Sequence, residues 1–167
     1  MDKRAVLKRP WRTGRLFTQH PVRPDFVDNW TTALREGDAR SARAWADAVF
    51  TVQFRPVVAL MRLRNALVRP LALVGRGPVA TDLSGGLKPF AVLAQDEHEV
   101  VLGDNDSHLD FRVDLQVHPD FVSVATIVEI HNAVGRLYWS VVRLFHPVMV
   151  RALMRRVPTV ENQGRGA

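Results

Sequence analysis

The chain has 167 residues and no cysteine, with 47% apolar and 24% charged side chains. That suits one globular domain and excludes a disulfide framework, a thiolate metal site and a cysteine nucleophile. The formal charge of +6 sits wholly at the N-terminus, where residues 1–24 hold seven of the 23 basic residues and one of the 17 acidic ones, leaving 16 of each sign elsewhere. The body therefore lacks the basic excess that marks a nucleic-acid surface.

Residues 1–24 show neither a helical nor a strand period and are punctuated by Pro10, Pro21 and Pro24. They read as a basic, flexible arm, part of which Trp11, Leu16 and Phe17 can pin to the body. A single α+β domain is expected over residues 25–157, with a frayed tail at 158–167. Residues 25–34 alternate weakly and predict a first strand, ended by a turn at Arg35-Glu36-Gly37-Asp38. Ser41 is placed to cap a short helix over 42–50, which turns Trp45, Val49 and Phe50 inward. Pro56 opens a second helix over 56–68, stopped by Pro70. Gly75-Arg76-Gly77 and Gly85-Gly86 lack the lysine and hydroxyl residue of a phosphate loop and lack the dinucleotide fingerprint, so both read as turns. Short strands are expected over 88–95 and 98–103.

Residues 108–131 form the sharpest pattern. Leu109, Phe111, Val113, Leu115 and Val117 alternate with His108, Asp110, Arg112, Asp114 and Gln116. A turn at His118-Pro119-Asp120-Phe121 then sends the chain back. Setting Val117 opposite Val122 pairs Leu115 with Val124, Val113 with Thr126, Phe111 with Val128 and Leu109 with Ile130. A one-residue slip mixes the two faces, so this register is strongly specified. On the other face it brings His108 to His131 and Asp110 to Glu129, with Arg112 diagonal to Glu129. Opposed carboxylates destabilise a sheet unless something compensates. Arg112 is the expected compensator, and a divalent metal on His108, His131 and Glu129 is a second solution.

Residues 135–156 predict a long helix. Arg136, Ser140, Arg143, Pro147, Arg151 and Arg155 form one narrow stripe, and the remaining circumference is so apolar that the helix is expected to be largely covered. Pro147 removes a hydrogen bond to the Arg143 carbonyl and predicts a kink. The apolar run 137–154 is interrupted by Arg143, His146 and Arg151, so no membrane span is expected. No apolar segment follows the basic N-terminus, which argues against a secretory signal. Together with the lack of cysteine, this gives a cytoplasmic expectation.

The segments Glu99-Val100-Val101-Leu102-Gly103, Asp106-Ser107-His108-Leu109-Asp110-Phe111-Arg112, His131-Asn132, Gly135-Arg136-Leu137-Tyr138-Trp139 and Phe145-His146-Pro147 resemble the bacterial domain-of-unknown-function family 2867. That family brings no established chemistry. The order of elements also resembles the START-like helix-grip (SRPBCC) superfamily. The fold so implied is α+β: a curved antiparallel sheet gripping a long C-terminal helix, with two short helices between the first strand and the rest. The same resemblance implies an apolar ligand held between sheet and helix.

The leading functional expectation is a non-enzymatic binding module for a small apolar or amphipathic molecule. Phe111, Val113, Leu115, Tyr138, Val142 and Phe145 would line its site. The alternative is an enzyme or polar-ligand site, with His108, Asp110 and His131 as acid–base candidates and Arg112 clamping an anion. A third reading has the basic arm docking on an anionic surface. No cofactor motif is present, and nothing in the sequence sets the oligomeric state.

Overall fold

The computed structural model describes residues 5–50 and 90–157. The second expected helix (56–68), the glycine-rich turns (75–86) and the tail (158–167) lie outside the described residues. The described elements are strands β1 (Val6–Lys8), β2 (Phe26–Ala33), β3 (Ala91–Gln95), β4 (Glu99–Asn105), β5 (Leu109–Val117) and β6 (Phe121–Ile130). Two helices, α1 (Ala42–Phe50) and α2 (Ala133–Arg156), and a single 3-10 turn at Phe17–Gln19 complete them.

One six-stranded sheet runs in the order β1-β2-β6-β5-β4-β3, and every neighbouring pair is antiparallel. β1 and β3 remain as edges, so the sheet does not close into a barrel. The β5–β6 register is the one the alternation dictates, from Leu109 opposite Ile130 to Val117 opposite Val122. α1 follows Ser41, whose hydroxyl accepts from the Ala44 amide at 3.3 Å. This helix packs on β4, β5 and α2 and buries Ala42, Trp45, Ala46 and Val49.

The two sheet faces are covered differently. On one, Leu102, Leu109, Phe111, Val113, Leu115, Val124 and Val128 form the main core with α1 and α2. On the other, Val101, Ala125 and Ile127 form a second core with Leu16, Phe17 and Val22. Part of the N-terminal segment thus covers the second face, with Leu16, Phe17 and Val22 packed in that core. β1 adds a strand beside β2, with Leu7 opposite Thr31. The Leu16 and Phe17 amides each donate to the Glu99 carboxylate at 2.9 Å. Trp11 Nε1 donates to Asp114 at 2.9 Å.

α2 runs without interruption through Pro147. Its first turn lies hard against the start of β5. Asn132 caps it by accepting from the Gly135 amide at 3.0 Å and donates to the Ser107 carbonyl at 2.9 Å. The helix is less covered than expected. Leu137, Leu144 and Val148 are 51%, 67% and 63% exposed, while Arg151 lies down with its guanidinium 5.3 Å from the Trp30 ring. The charged stripe therefore does not coincide with the outward face, because long arginine stems can lie along the protein and still wet their heads. Among the described residues, no helix is long and apolar enough to cross a membrane.

Candidate functional site

Strand alternation sends Leu109, Phe111 and Val113 of β5 and Val124, Thr126 and Val128 of β6 to one face, and α2 crosses that face. Between them lies a cavity of about 120 Å³. Tyr138, Trp139, Val142, His146, Met149, Val150 and Leu153 line it from α2. Val49 and Phe50 from α1, together with Phe90, form a further wall. There the Phe50, Phe90 and Phe111 rings meet edge-on at 5.3 and 5.1 Å. One water needs only roughly 10–15 Å³, and an apolar void of about 150 Å³ admits benzene. The space is thus well below the ~300–1,000 Å³ of a drug-sized pocket and suits a molecule of about six to eight heavy atoms.

The lining is apolar with a few polar interruptions. Trp139 and His146 stand 5.8 Å apart, ring centre to ring centre, and Phe26 makes T-shaped contacts with both at 4.9 and 6.1 Å. Trp139 is 8% exposed and His146 is 6% exposed, and among the described residues neither Trp139 Nε1 nor His146 Nε2 has a hydrogen-bond partner. Burial pushes the His146 imidazole down to about 4, with the Asp28 carboxylate opposing that shift and Lys8 adding to it. His146 is therefore neutral near pH 7. Asp28 is itself buried, ion-paired with Lys8 at 2.9 Å and accepting from Trp30 Nε1 at 2.7 Å. His108 enters the cavity wall from the start of β5, with its ring 5.4 Å from Tyr138 in an edge-on contact. Its Nδ1 lies 3.2 Å from Asp106 but is not aligned for a hydrogen bond.

The opposite face of the hairpin holds the carboxylates. Asp114 is fully buried and accepts from Trp11 Nε1, the Gly14 amide and Gln116 Nε2. Burial nevertheless raises its carboxyl to about 6, and the neighbouring Glu99 adds to the effect. Further along, Asp110, Glu129 and His131 bring three potential ligand atoms within 4.8 Å of one another. Asp110 accepts from the Asp106 amide at 3.1 Å, Glu129 accepts from the Arg23 amide at 2.8 Å, and His131 Nε2 lies 3.5 Å from Asp110.

A family model described as a protein of unknown function, DUF2867, matches residues 21–153. The chain belongs to that family. No curated protein and no solved structure matches it.

For this DUF2867 chain the positions of the sequence candidates follow directly. Phe111, Val113, Tyr138 and Val142 line the cavity. Leu115 does not; it is fully buried deeper in the main core. Phe145 is half-buried and lies outside the lining. The polar group divides in two. His131 pairs with Asp110, whereas His108 faces Asp106 and Tyr138. The three groups that converge are accordingly Asp110, Glu129 and His131, with Asp110 in the place expected for His108.

Arg112, the expected compensator, is engaged by the backbone. Its guanidinium donates to the backbone carbonyls of His20, Asp104 and Phe111 at 3.1, 3.1 and 2.9 Å. Asp110, Asp104 and Glu129 act on it only as surrounding charges. Its stem crosses Gly103, where an added Cβ would stand 2.8 Å from Arg112 Cδ.

Trp139, His146, Thr126, Phe50 and Phe90 were missed as lining residues. For the first two a signal existed. Positions 139, 146, 150 and 153 fall on one helix face, so a histidine there breaks an otherwise apolar buried stripe. Thr126 likewise stands between valines on the inward face of β6. Phe50 reads as inward-facing on its helix, but nothing in the sequence joins it to Phe90, since 39 residues separate the two.

Proposed function

We propose that this protein is a non-enzymatic binding module for a small, largely apolar molecule held between the sheet and α2. The observation that carries the reading is the cavity of about 120 Å³ lined by Phe111, Val113, Val128, Tyr138, Val142 and Met149. Native interiors pack closely, and voids of this size are few in a domain. A space lined by apolar side chains that do not meet across it costs stability through lost contacts. An occupant restores those contacts, and its binding stabilises the native state by mass action.

The test uses toluene. Saturating toluene should raise the melting temperature by roughly 3 °C, the shift that about 1 kcal/mol of binding energy produces in a chain of this size. Val142→Phe should place a ring in the same space and remove the toluene response. An unchanged melting temperature of the wild-type protein at saturation would sink the reading.

A further inference from the structure

The cavity reading leaves open what kind of molecule fits, and two atoms speak to that. Trp139 and His146 are more than nine-tenths buried, both line the cavity, and Trp139 Nε1 and His146 Nε2 have no hydrogen-bond partner among the described residues. Buried polar groups in native proteins are nearly always satisfied, and an exception needs an explanation. Other buried polar atoms also lack a hydrogen bond, His108 Nδ1 in the same lining among them, but that one faces the Asp106 carboxylate at 3.2 Å, whereas Trp139 and His146 are adjacent, 5.8 Å apart ring to ring.

Resting on the cavity reading, we propose that the ligand is a neutral molecule of about benzene size carrying one hydroxyl or carbonyl oxygen, held by Trp139 and His146. The chemistry of the two groups is complementary. An indole N–H only donates, whereas a neutral imidazole nitrogen accepts or donates according to its tautomer. A hydroxyl oxygen accepts from Trp139 while its proton goes to His146. A carbonyl oxygen accepts from both.

The charge of the ligand follows from the rest of the wall. Among the described residues, no lysine, arginine, aspartate or glutamate lines the cavity. An ion would lose its hydration there and find no counter-charge. The apolar body of the ligand would face Phe111, Val128, Val142 and Met149. Specificity then comes from the oxygen, because a site with buried polar groups discriminates against an analogue that leaves them unpaired.

The probes are toluene and phenol, which match in heavy-atom count, with benzoate as the charged arm, each titrated calorimetrically into the 167-residue protein. Phenol is expected to bind at least as tightly as toluene, even though it gives up more hydration on entry. Trp139→Phe removes the donor and should weaken phenol roughly tenfold while toluene changes by less than about threefold. His146→Phe should act in the same direction. Benzoate is expected to bind at least about a hundredfold more weakly than phenol.

Toluene binding with phenol more than about tenfold weaker would overturn the inference and leave the cavity reading standing, with water serving the two nitrogens. Benzoate binding as tightly as phenol would overturn the neutrality. If neither toluene nor phenol binds, the cavity reading itself fails and takes this inference with it. The wild-type comparison decides the matter even where a variant does not fold.

Discussion

Gly135→Ala is expected to lower the unfolding free energy by about 3 kcal/mol, one of the larger losses a single methyl group can produce in this fold. Helix propensity alone predicts the opposite, a gain of about 1 kcal/mol for replacing glycine by alanine. Sterics decide the sign. A Cβ at position 135 would stand 2.0 Å from the His108 backbone oxygen and 3.0 Å from Ile130 Cγ2. Backbone cannot swing aside as a flexible side chain can, so the first turn of α2 must lift from the sheet. Lifting it disrupts the Asn132 cap and its link to the Ser107 carbonyl, and a lost cap costs about 1 kcal/mol on its own. Tyr138 and Trp139 follow on the next turn, so ligand binding should weaken as well. Gly37→Ala supplies the comparison. That glycine has φ +80° but nothing within 4 Å, and its substitution should cost about 1–2 kcal/mol of backbone strain only. Urea denaturation of both variants measures the difference.

The second large effect is a pair of opposed pH dependences. The His146 pKa is pushed from 6.5 down to about 4 in the native state, so the native protein binds fewer protons than the unfolded chain between those values. The associated stability is present above pH 6.5 and is lost as the pH falls toward 4, by up to about 3 kcal/mol. Asp114 behaves in the reverse sense. Its pKa is raised from 3.8 to about 6, so its contribution is fully present below 3.8 and is lost as the pH rises through 6, again by up to about 3 kcal/mol.

Between pH 4 and 6 the two nearly cancel in the wild-type protein, and single variants separate them. Asp114→Asn should gain about 1–3 kcal/mol at pH 8, because the amide oxygen still accepts from Trp11 and Gly14 without the buried charge. It should then lose stability steeply relative to wild type as the pH is lowered from 6.5 to 4. His146→Phe should instead become more stable on acidification over that range. Chemical denaturation of the three proteins at pH 4, 6 and 8 reads the curves. Parallel curves for Asp114→Asn and wild type would show that Asp114 is not the buried acid described here.

The part of the fold that could be read beforehand is the part with a repeating pattern. The β5–β6 register followed from where Leu109, Phe111, Val113 and Leu115 must point, because burying one face punishes any slip. α1 was legible from Ser41 and the spacing of Trp45 and Val49. Residues 5–24 had no period because side-chain periodicity is not what holds them. Their backbone amides at Gly14, Leu16, Phe17 and Arg23 donate to Asp114, Glu99 and Glu129, and a backbone donor leaves no trace in residue identity.

Several carboxylates on this side of the sheet accept hydrogen bonds from the covering segment. Asp114 and Glu99 show the point most clearly, being 0% and 6% exposed. The site was legible only in its apolar half. Phe111, Val113, Tyr138 and Val142 followed from alternation and helical spacing. His146 was read as an interruption of an apolar run, when its position on the Trp139–Val150 face marked the polar wall of the cavity.

The claim that the space beneath α2 receives a small molecule is tested most directly by the tryptophan indole N–H resonances. The chain has four tryptophans, so a ¹H–¹⁵N spectrum offers four assignable indole peaks, and the fold places only Trp139 in the cavity wall. Titration with phenol should shift the Trp139 indole peak saturably while those of Trp11, Trp30 and Trp45 stay in place. A Trp139 peak that does not move at phenol saturation, or four peaks that drift together without saturating, would contradict the account.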